Sequence, residues 1–180
     1  MGIIFWTHYL LRWVIVNKEG KIVLPGAAGL VGQNLIIQLK NHGYNNLVAI
    51  DKHHENLKIL KQLHPDIVCI KADLSQNIVD WESAFSGADI VVMLQAQIGA
   101  LTIEPFIKNT IRSTENVLRI MKKYNVPYVI HISSSVVTSI SEDFYTNTKK
   151  EQEKLIVDSG IMHCILRPTL MFGWFDRKHL

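Results

Sequence analysis

The sequence predicts a doubly wound α/β domain, three layers deep, built on one parallel sheet. Three observations carry that expectation. Short continuous apolar runs alternate with amphipathic helical segments from Lys21 to Leu166, the connectors between them are short, and the first run feeds a glycine turn that opens a helix. Uninterrupted apolar runs are the pattern of strands buried on both faces, which need helices above and below the sheet. Right-handed crossovers then follow, and a ligand is expected at the carboxyl ends of the strands.

The first strand is expected at Lys21-Ile22-Val23-Leu24, and it runs into Pro25-Gly26-Ala27-Ala28-Gly29-Leu30-Val31-Gly32. A strand, a turn with glycines three apart and a helix together bring backbone N–H groups and a helix N-terminus up to a pyrophosphate. Gly26 would permit the tight turn, Gly29 the approach of the phosphates, and Gly32 the contact of helix with strand. Leu30, Val31, Leu35, Ile36 and Leu39 keep helical spacing as far as His42-Gly43, where the glycine stops the helix.

Leu47-Val48-Ala49-Ile50 reads as the second strand and ends at Asp51. A helix over Glu55 to Leu63 precedes Pro65, and Ile67-Val68-Cys69-Ile70 is the third strand, leading to Asp73-Leu74. Trp81 to Phe85 reads as a short helix. Asp89 to Leu94 is the fourth strand, opening into Gln95-Ala96-Gln97, and a long helix from Ile103 or Pro105 reaches Tyr124. Tyr128 to Ile132 is the fifth strand and opens into Ser133-Ser134-Ser135. Tyr145 to Ser159 is a charged amphipathic helix, and Met162 to Leu166 the sixth strand, ending at Arg167-Pro168.

A chain of 180 residues is long enough for one domain with a substantial core. Its 48% hydrophobic and 19% charged residues read as a soluble globular protein, and a formal charge of +3 is too small and dispersed for nucleic-acid binding. The eight histidines are scattered without metal-ligand spacing. Cys69 and Cys164 fall in apolar runs and are expected as buried thiols, which suits a reducing compartment such as the cytoplasm. Ile3 to Val16 is apolar and aromatic but too short for a transmembrane span of about 20 residues. It lacks the marks of a secretory signal. A peripheral membrane contact, packing against another part of the protein and an extension outside the fold are all compatible with it. Residues 1–19 are expected to lie outside the nucleotide-binding unit, which occupies 20–180.

Two constellations carry chemistry. Asp51 ends the second strand, about 20 residues after the glycine turn, where a carboxylate accepts both hydroxyls of an adenosine ribose and repels a 2′-phosphate. NAD is thereby favoured over NADP, although Lys52 and His53 bring cations close to the same position. Tyr145 and Lys149, four apart on a helix, share a face. An ammonium near a phenol favours the phenolate, and a tyrosine tuned in this way exchanges the proton of an alcohol while a hydride leaves or joins the same carbon. A hydroxyl from the serine loop would hold the substrate oxygen.

Taken as an ordered set, these features resemble the nucleotide-binding, Rossmann-fold part of an NAD-dependent epimerase/dehydratase, the extended branch of the short-chain dehydrogenases/reductases. The matching pieces are Gly26-x-x-Gly29-x-x-Gly32, Asp51, Asp73-Leu74, Gln95-Ala96-Gln97, Ile132-Ser133-Ser134-Ser135, Tyr145-x-x-x-Lys149 and Arg167-Pro168-x-x-x-x-Gly173. The resemblance implies that Leu30 and Val31 offer N–H groups to the pyrophosphate, that Asp73 and Leu74 edge the adenine, and that Gln95, Ala96 and Gln97 line the channel past the ribose. It implies Tyr145 as acid/base, Lys149 on the nicotinamide ribose, Ser134 (with Ser135 one residue away) as the substrate-orienting hydroxyl, and Pro168 near the nicotinamide. A nucleotide-sugar substrate follows from it, and a homodimer by analogy.

Several residues depart from the family pattern. Pro25 stands where threonine is usual, Val136-Val137-Thr138-Ser139 replaces a valine-tyrosine-glycine turn, and the stretch from Ser134 to Tyr145 is short. Ser113-Thr114 replaces a glycine-threonine pair, and Asn109 is one position from the usual asparagine. These differences bear on the substrate more than on the cofactor. The family continues after the sixth strand into a substrate-binding region, whereas this sequence ends at Leu180, so a cofactor half with little of the substrate half is expected. The leading expectation is a nucleotide-sugar epimerase, dehydratase or ketoreductase using NAD. The alternatives are a non-catalytic dinucleotide-binding sensor or assembly subunit and an NAD(P)H-dependent ketone reductase.

Overall fold

The structure, a computed structural model, describes residues 17–76 and 78–171. Six parallel strands form one sheet in the order β3-β2-β1-β4-β5-β6. They are β1 (Ile22–Pro25), β2 (Leu47–Asp51), β3 (Val68–Lys71), β4 (Ile90–Met93), β5 (Tyr128–Ile132) and β6 (Met162–Leu166). Every residue of β1, β2 and β4 is buried, as continuous apolar runs require when both faces are covered. The order reverses between β1 and β4, and the crevice there opens at the carboxyl ends of the strands.

Helices α1 (Leu30–Asn41) and α2 (His54–Leu63) follow β1 and β2. Ile36, Leu57 and Leu60 pack with Leu24, Ala49 and Val92 in one core layer. On the other layer α4 (Ser113–Lys123) and α5 (Phe144–Asp158) bring Val117, Met121 and Ile156 against Val23, Val91 and Val129. A second buried knot, Trp81 against Phe85 with ring centroids 5.6 Å apart, joins that layer.

Three expectations change. The short helix over 81–85 is a 3-10 helix, Glu82–Phe85, with Trp81 as its N-cap, and a further 3-10 turn, Ile78–Asp80, precedes it. The long helix before Tyr124 is not uniform. It starts with the single turn α3 (Glu104–Phe106), passes through a π-helical segment, Ile107–Arg112, and becomes α4. Such π segments recur at functional sites because they redirect side chains within a helix. Cys69 and Cys164 are half-buried and not fully buried, because β3 and β6 are the two edges of the sheet. Burial still pushes the Cys69 thiol up, with Lys61 opposing.

Of the expected N-terminal extension, residues 1–16 lie outside the described residues, as do residues 172–180 with Gly173 of the last motif. Asn17 to Gly20 form a turn closed by the Gly20 N–H on the Asn17 carbonyl at 2.7 Å, and Asn46 Nδ2 donates to the Glu19 carbonyl. Among the described residues no helix is long and apolar enough to cross a membrane.

Candidate functional site

The glycine turn is shaped by contacts that leave no room for side chains at two of its three glycines. Gly26 has φ +82°, and a Cβ there would stand 2.5 Å from the Gln95 backbone nitrogen. A Cβ on Gly32 would stand 2.3 Å from the Ala27 carbonyl oxygen, so α1 presses directly on the turn. Gly29 differs: a Cβ there would meet only the Gly26 carbonyl oxygen, at 3.7 Å. The space over Gly29 is open, and Gly29 is the N-cap of α1.

That helix end is uncapped, as are those of α2, α3 and α4, but differs from them in its first turn. Gly29 supplies no side-chain cap, and the first turn of α1 holds no acidic residue. By contrast, Asp143 caps α5, accepting the Thr146 N–H at 2.9 Å and the Thr146 hydroxyl at 2.8 Å, and these bonds with Ser141 hold its carboxyl down at about 2. The exposed N–H groups and the dipole of α1 at Leu30 and Val31 are therefore free to receive an anion.

Asp51 faces the turn from the next strand. It is 7% exposed; Oδ2 accepts the Ala28 N–H at 2.9 Å and Oδ1 the His53 N–H at 3.0 Å. The Ala28 carbonyl accepts from Gln33 Nε2 and Asn56 Nδ2. Each carboxylate oxygen keeps a second lone pair, so Asp51 can brace the turn and still accept ribose hydroxyls. The bracing residues Gln33 and Asn56 carried no sequence signal, since an amide on a helix reads as surface.

Beyond Asp51 a cavity of about 510 Å³ is lined by Lys52, Pro105, Ile107, Lys108, Asn109 and Arg112. Its cations are largely engaged. Lys52 Nζ donates to Asn109 Oδ1 at 2.6 Å, Asn109 Nδ2 to Gln97 Oε1 at 2.7 Å, and Lys108 pairs with Asp73 at 3.0 Å. The π segment that places Asn109 also places Thr110, whose hydroxyl accepts the Gln97 N–H. Burial alone would raise the Asp73 carboxyl, but Ser75 and Lys108 bring it below its ordinary value. Leu74 is buried, and its carbonyl accepts from Asn116 Nδ2.

On the far side of the crevice, β5 and β6 continue pairing beyond their ends. The Ser133 N–H reaches the Leu166 carbonyl at 2.7 Å, and the Ser135 N–H the Pro168 carbonyl at 2.9 Å, so the serine loop and Pro168 are neighbours. Ser134 Oγ accepts weakly from the Val136 N–H at 3.4 Å. Arg167 holds Glu153 of α5 with two hydrogen bonds, at 3.0 and 2.7 Å. Tyr145 lies on the first turn of α5, half-buried, and its hydroxyl is unpartnered among the described residues.

Lys149 is 1% exposed and turned inward. Its Nζ donates to the Ile132 carbonyl at 3.0 Å and to Gln152 Oε1 at 2.7 Å, and lies 3.4 Å from His131 Nε2. Gln152 Nε2 in turn donates to Thr114 Oγ1 and to the Gln95 carbonyl. Burial pushes Lys149 down to about 7, with Glu153 opposing; burial, and then the Lys149 charge, push His131 down to about 2. His131, Gln152 and Thr114 were not singled out in the sequence, because their partners come from four separate elements.

The comparisons with known proteins agree with this architecture. The sequence matches the NAD(P)H-binding family over residues 26–173. It is 25% identical to a 3-beta-hydroxysteroid dehydrogenase of Mycolicibacterium neoaurum, over 88% of this chain and 49% of that protein. It is 27% identical to the mitochondrial NADH-ubiquinone oxidoreductase 40 kDa subunit of Neurospora crassa, over 91% of this chain and 46% of that one. The chain thus spans about half the length of the curated relatives it matches. Among solved structures, the UDP-glucuronic acid 4-epimerase of Bacillus cereus in complex with NAD superposes with a TM-score of 0.74 at 27% identity, over 85% of this chain and 57% of that one.

Proposed function

The chain belongs to the NAD(P)H-binding family, and on that premise we propose that it is the cofactor-holding part of an NAD-dependent oxidoreductase of the epimerase/dehydratase type, acting on a nucleotide sugar. The observation that carries the reading is the uncapped, acid-free N-terminus of α1 beneath the open space at Gly29, with the Asp51 carboxylate beside it. A pyrophosphate fits the first and an adenosine ribose the second. The bound nicotinamide would supply hydride acceptance and donation.

The chain's own residues would do the rest. Leu30 and Val31 N–H groups bind phosphate oxygens; Asp51 accepts the adenosine ribose hydroxyls, which favours NAD over a 2′-phosphorylated cofactor. Asp73 and Leu74 border the adenine, and Gln97 fixes the channel wall through Thr110. Ser134 orients the substrate oxygen. As the carbinol C–H bond breaks and its hydride leaves, the hydroxyl proton passes to Tyr145 and a carbonyl forms; the return direction reverses both transfers. Lys149, four residues after Tyr145 on α5, would supply the cation of the pair. The relatedness of this chain to an epimerase known with NAD and to a steroid dehydrogenase supports this chemistry.

A second reading, a dinucleotide-binding subunit without turnover, is favoured by two observations. Lys149 has its donors engaged inward, and one relative is a subunit of a larger oxidoreductase. Titration of NADH and NADPH by fluorescence tests what both readings share, and the absence of saturable binding to either would sink both. Hydride exchange into bound cofactor with a panel of UDP- and dTDP-sugars separates them: exchange supports the enzyme, and binding with no exchange supports the subunit.

A further inference from the structure

Two of the cations lining the cavity beyond Asp51 are held, and in different ways. Lys108 pairs with the Asp73 carboxylate at 3.0 Å, which cancels its charge where it stands. Lys52, the residue after Asp51, donates from Nζ to Asn109 Oδ1 at 2.6 Å. A neutral carboxamide fixes an ammonium without cancelling its charge. Where Lys52 is held therefore decides what that charge can reach.

The Asn109 end of that bond is itself fixed. Asn109 Nδ2 donates to Gln97 Oε1 at 2.7 Å, Gln97 Nε2 to the Gly99 carbonyl at 2.6 Å, and the Gln97 N–H to Thr110 Oγ1 at 3.0 Å. Two consecutive residues of the π segment thus grip one residue just past β4. The tie runs from the tip of β2 to the tip of β4, the two strands that flank β1 and its glycine turn. Lys52 is exposed and Asn109 and Gln97 are half-buried, so all three are open to a bound molecule. The tie bears on the choice of cofactor. NADP differs from NAD by one phosphate at the 2′ position of the adenosine ribose. The Asp51 carboxylate repels that phosphate, whereas an ammonium one residue on attracts it. Lys52 can serve it only by giving up a charge-assisted hydrogen bond, a loss worth about tenfold in affinity.

We propose that Asn109 is a positioning residue that sets cofactor choice: it holds the Lys52 ammonium across the crevice, denies it to a 2′-phosphate, and so completes the preference for NAD that Asp51 begins. The proposal rests on the dinucleotide reading above. Asn109 acts through Lys52, so it discriminates between the two cofactors without adding affinity for both.

The test titrates NADH and NADPH, which differ only in the 2′-phosphate, by fluorescence against the intact chain and its variants. The wild type should bind NADH more tightly than NADPH. Asn109→Ala should strengthen NADPH by about tenfold and change NADH by less than about twofold. Adding Lys52→Met to Asn109→Ala should cancel that gain, because the freed ammonium is its source. Asn109→Asp turns the tie into an ion pair and should weaken NADPH relative to NADH. An unchanged ratio of the two affinities in Asn109→Ala, an equal loss for both cofactors, or a gain that survives Lys52→Met overturns the assignment and leaves the dinucleotide site in place. So does an Asn109→Asp protein in which NADPH does not fall relative to NADH. Wild-type affinity for NADPH equal to that for NADH, a result that needs no variant, overturns it as well, since Lys52 would already serve the phosphate. Failure of the wild type to bind either cofactor would instead overturn the dinucleotide reading and this proposal with it.

Discussion

Asp51 Oδ2 accepts the Ala28 N–H at 2.9 Å, so the residue set to read the ribose also pins the glycine turn from the neighbouring strand. Removing it should therefore have two separable effects. Asp51→Ala leaves the buried Ala28 N–H unpaired, at a cost of about 1–3 kcal/mol in folding stability. It also removes a charged acceptor from the adenosine ribose, which should weaken NADH by roughly 10- to 100-fold. NADPH should lose less, because the variant also relieves repulsion of its 2′-phosphate. Equal losses for the two cofactors, in parallel fluorescence titrations, would mean that Asp51 braces the turn without reading the ribose.

Gly29 and Gly32 should respond oppositely to the same methyl group. At Gly32 the added Cβ would lie 2.3 Å from the Ala27 carbonyl oxygen, so Gly32→Ala must push α1 away from the turn. A loss of about 1–3 kcal/mol in denaturant unfolding is expected. At Gly29 the backbone is extended (φ −78°) and the nearest atom would be 3.7 Å away, so Gly29→Ala should fold within about 0.5 kcal/mol of the wild type. Its methyl nevertheless enters the space assigned to the pyrophosphate, and NADH affinity should fall sharply. A Gly29→Ala protein that binds NADH normally would show that the phosphates lie elsewhere.

The parts of this fold that the sequence discloses are those governed by local pattern. β1, β2 and β4 are fully buried and read as unbroken apolar runs. Edge position is not local: β3 and β6 look like the others in sequence, and only the strand order leaves Cys69 and Cys164 half-exposed. The π segment at Ile107–Arg112 is equally silent, because apolar periodicity continues through it. The inward face of α5 is polar and not an apolar stripe, since Thr146, Thr148, Lys149, Gln152 and Glu153 are buried there. Their partners Ile132, Thr114, Gln95 and Arg167 lie on other elements, and no spacing rule joins positions that meet only after the sheet has formed.

Tyr145→Phe isolates the proposed proton transfer. The tyrosine is half-buried and its hydroxyl unpartnered, so its removal should leave stability and NADH affinity nearly unchanged. Hydride exchange between a nucleotide sugar and the cofactor should fall by about 10²- to 10⁴-fold, the usual worth of a positioned acid/base. Exchange at the wild-type rate in the variant would remove Tyr145 from the chemistry.

Lys149 and His131 should make stability rise with pH. Both have depressed values in the folded protein: Lys149 near 7 against an ordinary 10.5, and His131 near 2 against 6.5, burial being the first cause in each. In each interval the unfolded chain therefore binds a proton that the folded chain refuses. The stability that Lys149 contributes is complete only above 10.5 and is lost as pH falls towards 7, and that of His131 is lost from 6.5 towards 2. The pair can exchange hydrogen-bond roles: a charged Lys149 donates to His131 Nε2, and a neutral one can accept from it in the other tautomer. Between pH 7 and 8, below the ordinary values of the Cys69 thiol and the Tyr128 phenol, the free energy of unfolding should climb by up to about 1.4 kcal/mol per pH unit. Lys149→Met should flatten that slope even if it lowers stability as a whole, since it leaves the Ile132 and Gln152 oxygens without their donor. Chemical denaturation of both proteins across this interval checks it, and parallel slopes would place the Lys149 proton equally in the folded and unfolded states.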